Sequence, residues 1–220
     1  MDKKIQAVIF DMDGVLVDSA ASHRRAWQAL LEEMGSPITD PEFWRITIGR
    51  PIEEALPLLA KRQLTRREIV RYSRRRNDLF HEFSREGVAQ VPGVRAFVRG
   101  LEEARVPSAL ATSATQHVAR IILKRLDLNE TFRAVVTADD VRNGKPDPEV
   151  YLTAAQRLEV NPEHCLVFED SVVGIHAALS AGMSCIGVTT SNTADELKLA
   201  GAARAIRDFE GLTWSELIEP

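Results

Sequence analysis

The feature that most constrains this chain is the alternation of short apolar runs with helical segments after residue 91. Apolar runs typical of buried strands occupy Ser108–Ala111, Ala134–Thr137, Cys165–Phe168 and Ser184–Val188, with a weaker one at Ala203–Ile206. Helical patterns lie near residues 93–104, 115–126, 148–159, 172–181 and 193–200, and each connection is long enough for a right-handed crossover. This order is typical of an α/β fold with a doubly wound parallel sheet.

A further apolar run at residues 5–10 is separated from the others by a stretch that looks wholly helical, from residue 20 to about residue 86. Its helical patterns cover residues 20–34, 41–46, 51–62 and 65–85. Pro57 is expected to kink or shorten the third helix, and Thr65 with Glu68 fits a capping box at the start of the fourth. Because a single strand cannot stand alone, the first run is assigned to the later sheet, and the helical block becomes an insertion.

The charge of the chain is unevenly distributed. Residues 61–76 contain eight basic residues and one acid, Glu68, on a chain whose net charge is −4. Such a block could bind nucleic acid, attract an anionic substrate, or form only the solvated face of a helix. The block contains one aromatic residue, Tyr72, and the rest of the chain is acidic, so a nucleic-acid partner is not expected.

Compartment and membrane association are also constrained by the sequence. No apolar run approaches the ~20 residues that are needed to cross a membrane, and the first run is too short for the core of a signal peptide. The two cysteines, Cys165 and Cys185, cannot form a disulfide framework, and both begin apolar runs where buried thiols are expected. We therefore expect a cytoplasmic protein without a membrane partner, and a monomer by default.

Two carboxylates, Asp11 and Asp13, follow the first apolar run and precede Gly14. In an open parallel sheet, ligands bind beyond the carboxyl ends of the strands, so both side chains could reach one cavity. Clustered carboxylates suit Mg²⁺; one of the pair could instead attack phosphorus while the other acts as acid and base. Gly14 permits the tight turn that follows.

The ends of other predicted strands add complementary groups. Thr112 and Ser113 offer a hydroxyl and a backbone N–H near the start of a helix, where phosphate oxygens bind well. Lys145 supplies a cation after the third strand of the series, and Glu169 and Asp170 add two acids after the fourth. These strand ends thus combine acids that can bind a metal, a lysine that supplies counter-charge and hydroxyls that can bind phosphate. Phosphoryl transfer requires these groups.

Four segments in this order resemble the motifs of the haloacid dehalogenase superfamily, in particular its phosphatase and phosphomutase branch. They are DMDGV at Asp11–Val15, ALATS at Ala109–Ser113, GKPDP at Gly144–Pro148 and FEDSVVGIHAALSAG at Phe168–Gly182. The resemblance covers essentially the whole chain. It implies a Rossmann-like catalytic core made of residues 1–17 and 88–220, with an inserted α-helical cap domain at residues 18–87.

The resemblance also implies a role for each motif residue. Asp11 matches the nucleophile that forms an aspartyl-phosphate and binds Mg²⁺, and Asp13 matches the general acid and base whose backbone carbonyl binds the metal. Asp170 matches a metal ligand, and Glu169 matches an adjacent acid that is a ligand in some relatives. Positions that hold phosphate are matched by Thr112, Ser113 and Lys145.

Within the superfamily the chain looks most like the β-phosphoglucomutase branch and its phosphatase cousins. His23 and Trp27 match positions on the first cap helix. His23 is expected to hydrogen-bond near the Asp13 carboxyl and couple its orientation to cap closure, although it could be an ordinary residue of a helix face. Trp27 either packs in the core of the cap or supports a sugar ring.

One position departs from the mutase pattern. That pattern places an arginine three residues after the glycine matched by Gly49, where it grips the second phosphate of the sugar, and here the position holds Ile52. Arg50 lies nearby in the sequence. Arg76 and Asn77 lie near another position of the cap, one at which a basic residue contacts the substrate in the family pattern. Because a mutase must hold a bisphosphate at both ends, the loss of one clamp favours simple hydrolysis.

We therefore expect an Mg²⁺-dependent phosphatase that hydrolyses a small phosphorylated metabolite, such as a sugar phosphate, through an aspartyl-phosphate intermediate. The alternative is a sugar phosphomutase like β-phosphoglucomutase.

Overall fold

The structure is a computed structural model that describes residues 5–36, 43, 46, 52–85, 87 and 89–218. The chain divides into two compact units. The core unit comprises Met1–Asp18 and Gln90–Pro220, and the helical unit comprises Ser19–Ala89. Among the described residues, every helix is too short or too polar to cross a membrane.

Six strands of the core unit form one parallel sheet, as the alternation of apolar and helical segments predicts. In chain order the strands are β1 (Ala7–Phe10), β2 (Val17–Asp18), β3 (Ala89–Gln90), β4 (Ser108–Ala111), β5 (Ala134–Val136), β6 (Cys165–Glu169), β7 (Ser184–Val188) and β8 (Arg204–Ile206). The sheet has the order β5-β4-β1-β6-β7-β8 with parallel pairing throughout, and β2 and β3 form a separate two-stranded sheet. The first apolar run therefore lies in the middle of the sheet.

The helical unit contains α1 (Ala20–Glu33), α2 (Ile52–Leu59) and α3 (Arg66–Arg85). Pro57 lies in the last turn of α2, and this helix ends at Leu59 rather than near residue 62. The helix is therefore shorter than predicted, but it continues for two residues past Pro57 and is followed by Lys61 with a φ of +52°, so the end of the helix is not at the proline. The capping box at the start of α3 is also confirmed: the Thr65 N–H donates to Glu68 Oε2 at 2.9 Å, and the Glu68 N–H donates to Thr65 Oγ1 at 3.3 Å. Most of the helix predicted at residues 41–46 lies outside the described residues.

The basic block of residues 61–76 is mainly a solvated surface of the helical unit, and only Arg76 of its basic residues is half-buried. Two of its arginines form exposed ion pairs, Arg62 with Glu68 and Arg75 with Glu33. The opposite side of α3 packs on α1 through an apolar cluster that includes Leu79 and Phe80. The sequence left three interpretations of this block open, and for most of the block the structure supports the solvated face of a helix.

The helices of the core unit cover both faces of the sheet. They are α4 (Val94–Glu103), α5 (Gln116–Arg125), α6 (Glu149–Leu158), α7 (Val172–Ser180), α8 (Ala194–Leu199) and α9 (Trp214–Ile218). Alternate residues of β1 point to opposite faces. Ile9 joins a cluster with Val167 and Tyr151, whereas Phe10 stacks on Phe168 with ring centroids 5.3 Å apart. Because both faces are apolar, the polar groups of the core unit concentrate at the strand ends.

Candidate active site

The chain leaves the central strand β1 at Asp11, and Lys145 meets this residue from a loop that follows β5. Nζ of Lys145 lies 2.7 Å from Oδ1 of Asp11 and 2.7 Å from Oε1 of Glu169, the last residue of β6. The Asp11 N–H donates to the Phe168 carbonyl at 3.0 Å, which ties the ends of β1 and β6 together. The structure therefore brings together residues from three of the four motifs that were identified in the sequence.

Glu169 is buried and accepts four hydrogen bonds. Oε1 accepts from Lys145 and from the Tyr151 hydroxyl, the latter at 3.0 Å. Oε2 accepts from the Ser171 N–H at 2.8 Å and from the Ser171 hydroxyl at 2.9 Å. An ionised carboxylate has about four lone-pair positions, so the acceptor capacity of Glu169 is filled by protein donors.

Asp170 lies against the loop that follows β1. The carboxylates of Asp11, Glu169 and Asp170 each offer an oxygen within 4.8 Å of the others. Gly14 has a φ of +75°, and a Cβ at this position would lie 1.8 Å from Oδ2 of Asp170. From the sequence, glycine was expected to be needed at this position because of the tight turn. The structure adds a second reason, since Asp170 occupies the space that a side chain at position 14 would need.

The charges of this cluster are unbalanced. Burial raises the pKa of Asp11 to about 7. The positive charge of Lys145 lowers this pKa, but the negative charges of Glu169 and Asp13 raise it again. Burial and the charges of Glu169 and Asp11 hold the pKa of Asp170 well above its ordinary value. Burial also opposes ionisation of Glu169, yet Lys145 and the Ser171 hydrogen bonds keep its pKa below the ordinary value.

This donor set fits a hard divalent cation. Three buried carboxylates lie together, and Lys145 pairs with two of them, Asp11 and Glu169. The raised pKa values of Asp11 and Asp170 indicate that one more positive charge would stabilise their ionised forms. Carboxylate oxygens are the ligands that Mg²⁺ prefers, and Asp11 and Asp170 can still contribute them. Glu169 is the least available of the three, because its acceptor positions are occupied.

Thr112 and Ser113 follow β4, the neighbour of β1 in the sheet. Thr112 is buried, and its Oγ1 accepts from the Ala114 N–H at 3.0 Å, so the hydroxyl proton is the group that it can offer to a ligand. Ser113 is exposed. Asp13 is half-buried in the turn after β1, where it bridges to Val17 through the backbone.

The remaining predicted site residues lie in the helical unit. The His23 ring stacks on Phe80 with centroids 4.0 Å apart, and Arg76 hydrogen-bonds Nδ1 of His23. Trp27 is buried in the apolar cluster of this unit, which supports a core role. Asn77 is exposed and its Oδ1 accepts from Arg76 at 3.4 Å. Gly49 and Arg50 lie outside the described residues.

Three polar residues of the site were not identified from the sequence as site residues. The Thr190 hydroxyl donates to the Gly14 carbonyl at 2.6 Å, and Nδ2 of Asn192 donates to the Asp170 carbonyl at 2.9 Å. Both follow β7, so a search of the residues after every predicted strand could have found them. Tyr151 had no such signal, because its hydroxyl reaches Glu169 only through the packing of α6 on the sheet.

The chain is similar to known proteins along most of its length. Residues 8–188 match the family model of the haloacid dehalogenase-like hydrolases. A phosphorylated carbohydrates phosphatase of Thermotoga maritima is 39% identical over 208 residues, which cover 94% of this chain and 96% of that protein. The β-phosphoglucomutase of Bacillus subtilis is 32% identical over 224 residues, which cover 98% and 95% of the two chains.

A solved structure shows the same fold. The crystal structure of a HAD hydrolase, family IA, variant 3 from Entamoeba histolytica superimposes with a TM-score of 0.84 at 27% identity, and the match covers 97% of this chain and 98% of that one. The sequence match, the fold and the clustered acids agree with one another. This chain is an enzyme that belongs to the haloacid dehalogenase-like hydrolase family.

Proposed function

We propose that the protein is an Mg²⁺-dependent phosphatase that hydrolyses a small phosphorylated carbohydrate through an aspartyl-phosphate on Asp11. The observation that carries this proposal is the position of Lys145, whose ammonium lies 2.7 Å from both Asp11 and Glu169 at the end of the central strand. A carboxylate nucleophile that meets a phosphate dianion needs positive charge beside it, and Lys145 supplies one such charge.

In the first step Asp11 attacks phosphorus. A new bond forms between an Asp11 carboxylate oxygen and phosphorus, and the ester P–O bond breaks. Lys145 engages Oδ1, and among the described residues no hydrogen bond is seen to Oδ2, so Oδ2 is the oxygen that we assign to the attack. Lys145, Thr112 and the Ser113 N–H bind the oxygens of the transferred group.

Asp13 moves the protons of the reaction in this proposal. Its carboxyl group gives a proton to the leaving alkoxide, which becomes the free hydroxyl of the product. The resulting Asp13 carboxylate then takes a proton from the water that attacks the phosphorus of the aspartyl-phosphate. This second step releases inorganic phosphate and regenerates the Asp11 carboxylate.

A metal is part of the proposal, and Asp11, Asp170 and the Asp13 carbonyl are the groups that would hold it. When bound, Mg²⁺ neutralises the negative charge that the substrate phosphate brings to the site. We place Glu169 beside the metal rather than on it, since its acceptor positions are taken by Lys145, Tyr151 and Ser171.

The carbohydrate class of the substrate comes from the relatives described above. We propose that residues 18–87 act as a cap that selects the substrate, with His23, Arg76 and Asn77 as the candidate polar groups. Ile52 is half-buried against the apolar cluster of the helical unit, so this position offers no cation for a second phosphate. Simple hydrolysis is therefore favoured over mutase action.

The test is a phosphate-release screen over sugar, nucleotide and glycolate phosphates with Mg²⁺. We expect release from at least one sugar phosphate, and we expect Asp11→Asn to lower it by at least about a thousandfold, since an amide cannot form the phospho-enzyme. Asp195→Asn, an exposed position at the start of α8, removes the same charge and should retain full activity. Full activity of Asp11→Asn would refute the proposal.

The second candidate is a sugar phosphomutase, which the match to the Bacillus subtilis enzyme favours. Incubation with β-glucose 1-phosphate and a bisphosphate primer separates the two activities. Glucose 6-phosphate as the main product would establish mutase action, whereas free phosphate and glucose would establish hydrolysis.

A further inference from the structure

The hydroxyl group of the buried residue Tyr151 contacts Glu169 of the candidate site. The residue lies on α6 and is fully buried in the apolar cluster beneath the sheet. A phenylalanine would fill nearly the same volume without a polar group that must be satisfied. The hydroxyl donates to Oε1 of Glu169 at 3.0 Å, so its buried polar group has a charged partner.

The ring of Tyr151 also contacts the cation of the site. Nζ of Lys145 lies 4.8 Å from the ring centroid, which is within the range of a cation–π interaction. Tyr151 thus contacts both members of the Lys145–Glu169 ion pair, one through its hydroxyl and one through its ring. Both contacts come from one rigid side chain, so they limit the movement of the pair together.

Gly174 limits the same carboxylate from another side. This glycine lies in α7, and a Cβ at its position would be 1.7 Å from Oε1 and 2.5 Å from Oε2 of Glu169. The Glu169 carboxylate therefore occupies the space that any side chain at position 174 would need. With Ser171 on Oε2, the carboxylate is fixed by Tyr151, Ser171 and the bare backbone of Gly174.

We propose that Tyr151 and Gly174 are positioning residues, which fix Glu169 and thereby hold the Lys145 ammonium at Asp11. This inference rests on the proposed function for its effect on catalysis. Lys145 counters charge on the transferred phosphoryl group, so a displaced ammonium weakens the transition state more than the bound substrate. The consequence is a specific one: loss of positioning lowers kcat more than it raises KM.

Tyr151→Phe is the first test, because it keeps the ring and removes only the hydroxyl. We expect kcat to fall about tenfold, which is the size of one hydrogen bond to a charged group, while KM changes less than about threefold. Val150→Ala is the matched control, since Val150 is buried in the same helix and cluster. It should lower Tm and leave kcat unchanged.

Gly174→Ala is the second test. Alanine is the better helix former, so a loss of activity would arise from the displaced Glu169 carboxylate. We expect kcat to fall by at least about a hundredfold. Gly100→Ala is the matched control, because Gly100 also lies inside a helix and a Cβ there meets nothing within 4 Å. It should keep the kcat of the original enzyme.

A measurement independent of activity follows the Lys145 ammonium directly. ¹⁵N-lysine NMR of the unaltered protein should show a slowly exchanging Nζ signal, assigned by its loss in Lys145→Arg. We expect this signal to shift or broaden in Tyr151→Phe and Gly174→Ala and to persist in Gly100→Ala. An unchanged signal and unchanged kcat in both variants would overturn the inference. A shifted signal in an enzyme that releases no phosphate would support positioning and refute the proposed function.

Discussion

Nζ of Lys145 lies 2.7 Å from Oδ1 of Asp11, although 134 residues separate the two along the chain. Both groups are buried, and burial alone would favour the neutral form of each. The charges of Asp11 and Glu169 nevertheless hold the pKa of Lys145 above its ordinary value, so the ammonium persists. The same pair supplies the nucleophile and the cation of the proposed reaction.

Replacement of this cation tests its role. We expect Lys145→Met to lower phosphate release by about 10²–10³-fold, because the length of the side chain is kept and its charge is removed. Tm should also fall, since breaking a buried ion pair costs about 3–5 kcal/mol. Lys198→Met, at an exposed lysine in the last turn of α8, is the control and should behave like the unaltered enzyme. Activity within twofold in Lys145→Met would contradict the assignment.

Metal binding should be visible without any substrate. Asp11, Glu169 and Asp170 crowd one another, so Mg²⁺ should stabilise the folded protein. We expect Tm to rise by about 5 °C when Mg²⁺ exceeds its Kd a hundredfold, and EDTA to abolish phosphate release. Asp170→Asn should lose most of this rise. The same Tm with and without Mg²⁺ in the unaltered protein would argue against the metal site.

Gly14 offers a prediction with a closely matched control. A Cβ at Gly14 would lie 1.8 Å from Oδ2 of Asp170, whereas a Cβ at Gly182 meets nothing within 4 Å, and the φ angles are +75° and +79°. Both Gly14→Ala and Gly182→Ala should lose stability from the left-handed backbone, by about 1–2 kcal/mol. Only Gly14→Ala should lose the Mg²⁺-dependent rise in Tm and most of the activity. Equal behaviour of the two variants would show that the contact with Asp170 is unimportant.

The capping box of α3 predicts a pH-dependent contribution to stability. Hydrogen bonds from Arg62 and from Thr65 lower the pKa of Glu68 from 4.5 to about 2. Because the folded-state pKa is the lower one, the stabilisation is complete above pH 4.5 and is lost as the pH falls toward 2. We expect Glu68→Gln to lower Tm by about 2 °C at pH 7 and by less at pH 3, as followed by circular dichroism.

The control for this measurement is Glu54→Gln, because Glu54 is exposed on α2. This substitution removes the same charge without removing a capping residue. Its effect on the Tm difference between pH 7 and pH 3 should be smaller than that of Glu68→Gln. A Glu68→Gln effect of the same size at both pH values would assign the loss to something other than the ionised carboxylate.

Much of the fold followed from local patterns. A buried strand of a parallel sheet is apolar on both faces, so strands such as Ser108–Ala111 and Ser184–Val188 were predicted with the bounds that the structure has. The capping box at Thr65 and Glu68 needs only residues three apart. The short strands β2 and β3 and the five-residue helix α9 were missed, since elements of two to five residues leave little periodicity to detect.

The sequence by itself determined the α/β class, the identity of the acids at the strand ends and the lysine that follows them, because a motif is a local arrangement of residue types. Only the tertiary structure decided which strands are neighbours, and so which of those side chains meet. The order β4-β1-β6 brings Asp11 to Glu169, and the packing of α6 brings the Tyr151 hydroxyl to the same carboxylate. The first contact depends on which strands pair and the second on how a helix packs on the sheet, and no local pattern encodes either of them.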